Sequence, residues 1–232
     1  NMQTNKIRAQ FTLSMTSLKR IFYNFCGLFL AYFSIGYSGF ALSDSASSPT
    51  TKLPQNSPRF IKLDANGRPQ NISTTNQTWF CVFDQQTGLM WEVKSRDGAI
   101  QDAQQTYSWY MPNPEVNGGF AGYKNKGKCN LPRCNTQAYI DTINRNKLCG
   151  NNRWRLPTRE ELRSIVNYQI KFPGPTIDKI FFPNTLNQFY WSSTPDANDK
   201  DSAWGIGFSF GYDYAYFKSD LGYIRLVNEH FK

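Results

Sequence analysis

The 232-residue sequence contains one histidine, His230, so a histidine-based triad or a multi-histidine metal centre has no material to be built from. Acid–base chemistry would fall to carboxylates, and a hydrolase of that kind needs two acids converging in a cleft. Glu160 and Glu161 are accounted for by helix capping, and Asp196, Asp199 and Asp201 lie in the polar loop "DANDKD". That loop offers hard oxygens, so calcium at Asp196, Asp199 and Asp201 is the one cofactor alternative. It lacks the glycine and closing glutamate of an EF-hand. The expectation is a non-catalytic protein without a cofactor.

The cysteines point to stapling. Cys26 falls in an apolar N-terminal run, which leaves Cys81, Cys129, Cys134 and Cys149. Four cysteines in an exported chain argue for two disulfides, with three possible connectivities. The expected pairs are Cys129 with Cys134, closing "CNLPRC", and Cys81 with Cys149, tying an early strand to a later turn. A zinc site is the alternative, but the spacing lacks paired C-x2-C knuckles.

The third chemistry is electrostatic. Residues 120–159 carry Lys124, Lys126, Lys128, Arg133, Arg145, Lys147, Arg153, Arg155 and Arg159 against Asp141 alone. Gathered on one face, they would attract sulfate, carboxylate or phosphate polymers. Lys124, Lys126, Lys128, Arg133, Arg145, Lys147, Arg153 and Arg159 are the expected ligand-binding residues, while arginines of "RWRLPT" have the alternative of pairing with carboxylates. Trp109, Tyr110 and Tyr123 are candidates for stacking on sugar rings. Tyr212, Tyr214 and Tyr216 share one strand face, as one side of the core or as an exposed shelf.

The elements that must position these residues begin after a leader. From Met15, the basic "MTSLKR", the apolar "IFYNFCGLFLAYFSIG" and the small-residue "YSGFA" form a secretory signal pattern. Residues 1–41 are read as a signal peptide cleaved after Ala41; the competing reading is a retained anchor, although Asn24 and Ser34 break the run. Cleavage would remove four cations and no acid, taking the formal charge from +9 to +5. Residues 42–58 are a Ser/Thr/Pro-rich linker, and residues 59–232 form one domain. The expected location is periplasmic, cell-surface or extracellular, with membrane contact confined to the signal segment.

Within the domain, "WFCVF" and "LMWEV" flank "DQQTG" as a hairpin. Residues 97–133 read as loop. "NTQAYIDTINRNKLCG" places Tyr139, Ile140 and Ile143 at helical spacing, with Gly150 as the stop. In "NNRWRLPTREELRSIV", Trp154 and Leu156 alternate with arginines, Pro157 ends the extended stretch, and Thr158 with Glu161 spells a capping box for a second helix. Leu162, Ile165 and Val166 give that helix a narrow apolar stripe. "YWSS", "AWGIGFSF", "YDYAYFK" and "GYIRLVN" read as strands, the middle two joined at Gly211. The order predicts an α+β domain with two helices, an antiparallel sheet and long loops.

Together, "TGLMWE", "CGNNRWRLPTREELRSIV", "FPNT", "YWSS", "AWGIGFSFG" and "YIRLVN" resemble the family of the C-terminal domain of the Legionella collagen-like protein, a domain of unknown function, over roughly residues 79–228. "RLPTREEL" also resembles an element of formylglycine-generating enzymes, and both groups are related to the C-type lectin-like fold. The resemblance implies a compact, loop-rich, disulfide-stapled α+β domain with a twisted antiparallel sheet. The formylglycine-generating reaction would need late cysteines, and none lies beyond Cys149. The tripeptides of calcium-dependent sugar-binding lectins are also missing. The namesake is an adhesin for sulfated polysaccharide, but its collagen-like Gly-x-y tract has no counterpart here. The expected function is therefore an adhesin-like module for anionic glycan. The alternative is a structural or assembly subunit of a surface filament or envelope complex that binds protein partners, with a homo-oligomer open. Nucleic acid is not the expected ligand of an exported chain, although extracellular DNA would obey the same electrostatics.

Overall fold

The structure, a computed structural model, describes residues 58–70 and 78–229. The signal segment, nearly all of the linker and His230 lie outside the described residues. No described helix is long and apolar enough to cross a membrane.

The fold is α+β, with two antiparallel sheets in place of the single sheet expected. The first runs β1-β2-β3-β7, from β1 (Phe60–Leu63), β2 (Cys81–Asp84), β3 (Leu89–Glu92) and β7 (Val227–Asn228). The expected hairpin is β2–β3, in the register Asp84↔Leu89 and Cys81↔Glu92. The second sheet is β4 (Phe189–Pro195), β5 (Ser202–Gly207) and β6 (Tyr212–Phe217), with β5 central. Isolated pairings of Tyr190 with Tyr223 and of Arg155 with Val227 join the "RWRLPT" and "YIRLVN" stretches to the sheets. "GYIRLVN" is therefore a strand only at Val227–Asn228. Its earlier part is spent on single bridges, because Gly222 pairs with Tyr107 and Tyr223 with Tyr190.

Helix α1 (Thr136–Arg145) starts where the Asn135 side chain accepts from Ala138 N–H, and it buries Tyr139 and Ile143. It ends earlier than the Gly150 stop, at Asn146, and the chain turns through Lys147 at φ 50° into a short 3-10 turn, Leu148–Gly150. Helix α2 (Arg159–Ser164) has the expected capping box: Glu161 N–H donates to Thr158 Oγ1 at 3.1 Å and Thr158 N–H to Glu161 Oε2 at 2.8 Å. It stops short of the end of its apolar stripe, so Ile165 is already the C-cap and Val166 lies beyond it.

Two apolar clusters hold the layers. One packs Trp109, Tyr139, Trp154 and Trp191 around the disulfide Cys81–Cys149. The other packs Leu162 and Ile165 against Tyr190, Phe208 and Phe182. Trp154 and Leu156 are buried as their alternation required. In β5, Gly205 has no room for a side chain, since a Cβ would lie 2.2 Å from the Tyr190 carbonyl and 2.5 Å from the Phe189 ring.

Candidate binding surface

The basic loop is fixed before it is charged. Cys129 and Cys134 are joined as expected. Thr106 and Lys128 exchange backbone hydrogen bonds at 2.9 Å, Cys134 N–H donates to Asn125 Oδ1 at 3.0 Å, and Lys126 N–H donates to Ser108 Oγ at 3.2 Å. With the backbone tied down, Lys124, Lys126, Lys128 and Arg133 all point to solvent as exposed residues. None of the four forms an ion pair among the described residues. The Lys124 ammonium sits 5.8 Å from the Tyr110 ring centre and that of Lys126 lies 5.8 Å from Tyr123. Tyr110 and Tyr123 thus join the lysines on one surface. Trp109 does not: it is fully buried, its indole N–H donating to the Ser192 carbonyl at 2.8 Å. Trp109 departs from its half-buried neighbour Tyr110 because residue 109 points into the core between the bridges at Ser108 and Tyr110.

The remaining cations are not gathered into that surface. Arg145 and Lys147 are exposed at the far end of α1, and a ten-residue helix spans ~15 Å. Arg153 is exposed beside buried Trp154, just after that end. Arg159 is engaged elsewhere: its guanidinium lies 4.7 Å from the Trp204 ring centre and pairs with Glu160 at 3.2 Å and Asp213 at 3.6 Å. Arg155 is held bidentately by Glu161, both contacts at 2.7 Å, and also by Glu229. Burial pushes the Glu161 carboxyl up, but hydrogen bonds from Arg155 and Thr158 and the Arg155 charge outweigh it, so its pKa is lowered.

The carboxylates of Asp196 and Asp199 accept hydrogen bonds from within their own loop. Asp196 Oδ1 accepts from Asn198 N–H and Asp199 from Asp201 N–H and the Ser202 hydroxyl. No cluster of three or more His, Cys, Asp or Glu able to hold a metal occurs among the described residues. Asp199 and Asp201 face the positive charge of Lys218, whose Nζ donates to the carbonyls of Asn117 (2.8 Å), Phe120 (2.8 Å) and Lys200 (2.6 Å) over the Trp109 ring. Burial lowers its pKa, opposed by Asp201 and Asp199.

A family model described as the Lcl C-terminal domain matches residues 80–228. The chain belongs to the Lcl C-terminal domain family. No curated protein and no solved structure matches it.

This Lcl C-terminal domain also holds a buried polar network that its sequence did not announce. Glu92 accepts from Lys94 Nζ at 3.0 Å, from the Tyr139 hydroxyl and from Leu226 N–H at 3.0 Å. Arg225 donates to the Glu92 carbonyl and to Thr185 Oγ1 at 2.7 Å. Burial lowers the pKa of Lys94 against the pull of Glu92, and burial followed by Glu92 raises that of Tyr139. The only hint in the sequence is that Glu92 and Arg225 interrupt apolar strand runs. Two of the three buried carboxylates among the described residues are engaged by cations, Glu92 by Lys94 and Asp84 by Arg59 at 2.7 Å, while Asp102 accepts from the N–H groups of Gly98 and Gln104. A cleft of about 390 Å³ opens beside this network, lined in part by Trp79, Phe80, Lys94, Arg96 and Asn184.

Proposed function

We propose that this domain is an exported, non-catalytic binding module with a C-type lectin-like fold that recognises anionic polysaccharide. The observation that carries the reading is the stapled loop on which Lys124, Lys126, Lys128 and Arg133 stand exposed and without ion pairs among the described residues, with Tyr110 and Tyr123 beside two of the ammonium groups. Fixing the backbone lowers the entropy lost when a polymer docks, and the aromatic rings offer apolar surface to sugar faces between sulfate or carboxylate contacts. Arg145 and Lys147, exposed at and just beyond the far end of α1, are the next cations that an extended polymer would reach.

The test is elution of the oxidised protein from heparin in a salt gradient, beside a variant with Lys124, Lys126, Lys128 and Arg133 changed to Gln. Retention beyond physiological salt that collapses in the variant is the expected result. A wild-type protein that flows through at low salt overturns the reading. The alternative, an assembly subunit that binds protein, is favoured by a separate observation: Tyr212, Tyr214 and Tyr216 are an exposed shelf, not core.

A further inference from the structure

Strand β6 is the outer edge of its sheet, and its pairing with β5 fixes which backbone groups face outward. Lys218 N–H donates to the Asp201 carbonyl at 2.8 Å, continuing the register in which Tyr216 faces Ala203 and Tyr214 faces Gly205. Hydrogen-bonded pairs alternate along an antiparallel ladder. Tyr212, Tyr214 and Tyr216 therefore aim their backbone groups at β5, and Asp213, Ala215 and Phe217 aim theirs away. The Phe217 carbonyl is taken by Asp220 N–H at 2.8 Å. The outward N–H and C=O of Asp213 and Ala215 have no partner among the described residues.

Soluble proteins blunt such edges with exposed charge, proline or a bulge. The β6 sequence YDYAYF contains no proline, and its pairing with β5 is unbroken. Its one charge, Asp213, is matched by Arg159. Beside the edge stands a ridge of rings. Phe172, Phe210 and Tyr212 are stacked at 4.6 and 6.0 Å with interplanar angles of 14° and 11°, and Tyr216 lies on Phe189 at 4.2 Å. Facing pairs Phe172–Phe210, Phe210–Tyr212 and Phe189–Tyr216 spend several ring faces on one another, leaving fewer for a sugar to stack on.

Phe172, Phe210, Tyr212, Tyr214 and Tyr216 are 63, 46, 58, 39 and 41% exposed. At ~200 Å² per aromatic side chain this is about 500 Å² of ring surface, near the top of the ~300–600 Å² range for the largest apolar patch on a monomer. With the strand backbone it is the larger part of the ~800 Å² that a standard interface takes from each partner, and Phe217, 59% exposed, adds apolar surface on the opposite face of the strand.

We propose that the occupant is a second copy of this chain, its β6 added antiparallel to this one about a twofold axis at Tyr214. That register sets Asp213 opposite the partner's Ala215, so the unpartnered N–H and C=O groups satisfy one another in four hydrogen bonds. It also places Tyr212 against the partner's Tyr216 and the two Tyr214 side chains against each other, as cross-strand aromatic pairs. An axis at Ala215 would instead oppose Asp213 to Phe217, whose carbonyl is already used. The interface is self-complementary and closes at the dimer, joining two three-stranded sheets into one of six strands. A dimer carries two basic loops, and a polymer long enough to span both multiplies weak contacts.

Sedimentation equilibrium of the oxidised chain without polysaccharide tests this independently of heparin binding. The wild type is expected to be a micromolar dimer and Ala215→Pro a monomer, since proline there removes an outward N–H and no bond to β5. Tyr214→Cys should cross-link to its own copy on oxidation, because non-hydrogen-bonded antiparallel pairs bring Cα atoms to ~4.5 Å, within disulfide reach. Tyr212→Cys should not. Near-UV circular dichroism checks that each variant is folded, and the cysteine pair decides the matter if Ala215→Pro is not. A wild type monomeric at all concentrations, a dimer that survives folded Ala215→Pro, or cross-linking at 212 but not 214 overturns the proposal.

Discussion

Single side chains in this domain are fixed by the groups they satisfy. Glu161 closes the α2 cap and holds Arg155, and its folded pKa is lowered. Its contribution is therefore fully present above the ordinary glutamate pKa, 4.5, and is lost as pH falls through the lower folded value. Glu161→Gln keeps a side chain able to close the capping box but loses the bidentate charge pair with Arg155, and should cost about 1 kcal/mol at neutral pH, the upper range of a partly exposed ion pair. It should also flatten the acid limb of stability measured by urea unfolding between pH 6 and 3; an unchanged acid limb would mean that Glu161 is not the titrating group. Lys218 is the opposite case, a buried cation among carbonyls. Replacing it with Met leaves those carbonyls unsatisfied, and a loss of about 3 kcal/mol is expected from the usual cost of stranded buried polar groups. Urea denaturation reads that loss, and a stable Lys218→Met protein would show that water replaces the ammonium.

At the scale of elements, the two disulfides close loops of very different length, 68 and 5 residues in sequence separation. Chain-entropy arguments give about 4 kcal/mol for the long loop and about 2 kcal/mol for the short one. Thermal unfolding should accordingly show a larger drop for the Cys81→Ala/Cys149→Ala pair. The Cys129→Ser/Cys134→Ser pair should melt less but lose more heparin affinity, because it unfastens the loop bearing the lysines. Equal losses of affinity in the two would separate the staple from the surface. Helix α1 leaves through Lys147 at φ 50°, a left-handed position that glycine fills without steric cost. Lys147→Gly should therefore raise the melting temperature, despite losing a cation.

At the scale of the molecule, the cations of residues 120–159 are divided between the two ends of α1, with Arg155 and Arg159 withdrawn into ion pairs. Neutralising Lys124, Lys126, Lys128 and Arg133 should lower the heparin elution salt more than neutralising Arg145 and Lys147. Neutralising Arg159 should instead lower stability, since it breaks contacts with Trp204, Glu160 and Asp213. Elution profiles and melting curves of the three variants check this division.

The sequence alone determined whatever is written in neighbouring residues. The β2–β3 hairpin, the Thr158–Glu161 cap, the burial of Trp154 and Leu156 and the α+β class follow from short-range periodicity and turn chemistry, and both cysteine pairings were correctly expected. Tertiary structure decided what depends on residues far apart in the chain. Trp109 and Tyr110 are adjacent, yet one is sealed under Ser192 and the other lies beside Lys124, because pleating sends neighbours to opposite faces and distant strands decide which face is covered. Arg159 and Lys124 carry equal charge, and only the approach of Asp213 and Trp204 removes the first from the surface. Tyr212, Tyr214 and Tyr216 fit core and shelf equally well by pattern. They are exposed because β6 is an edge, and edges are assigned by the pairing order of strands, a long-range property with no local signature.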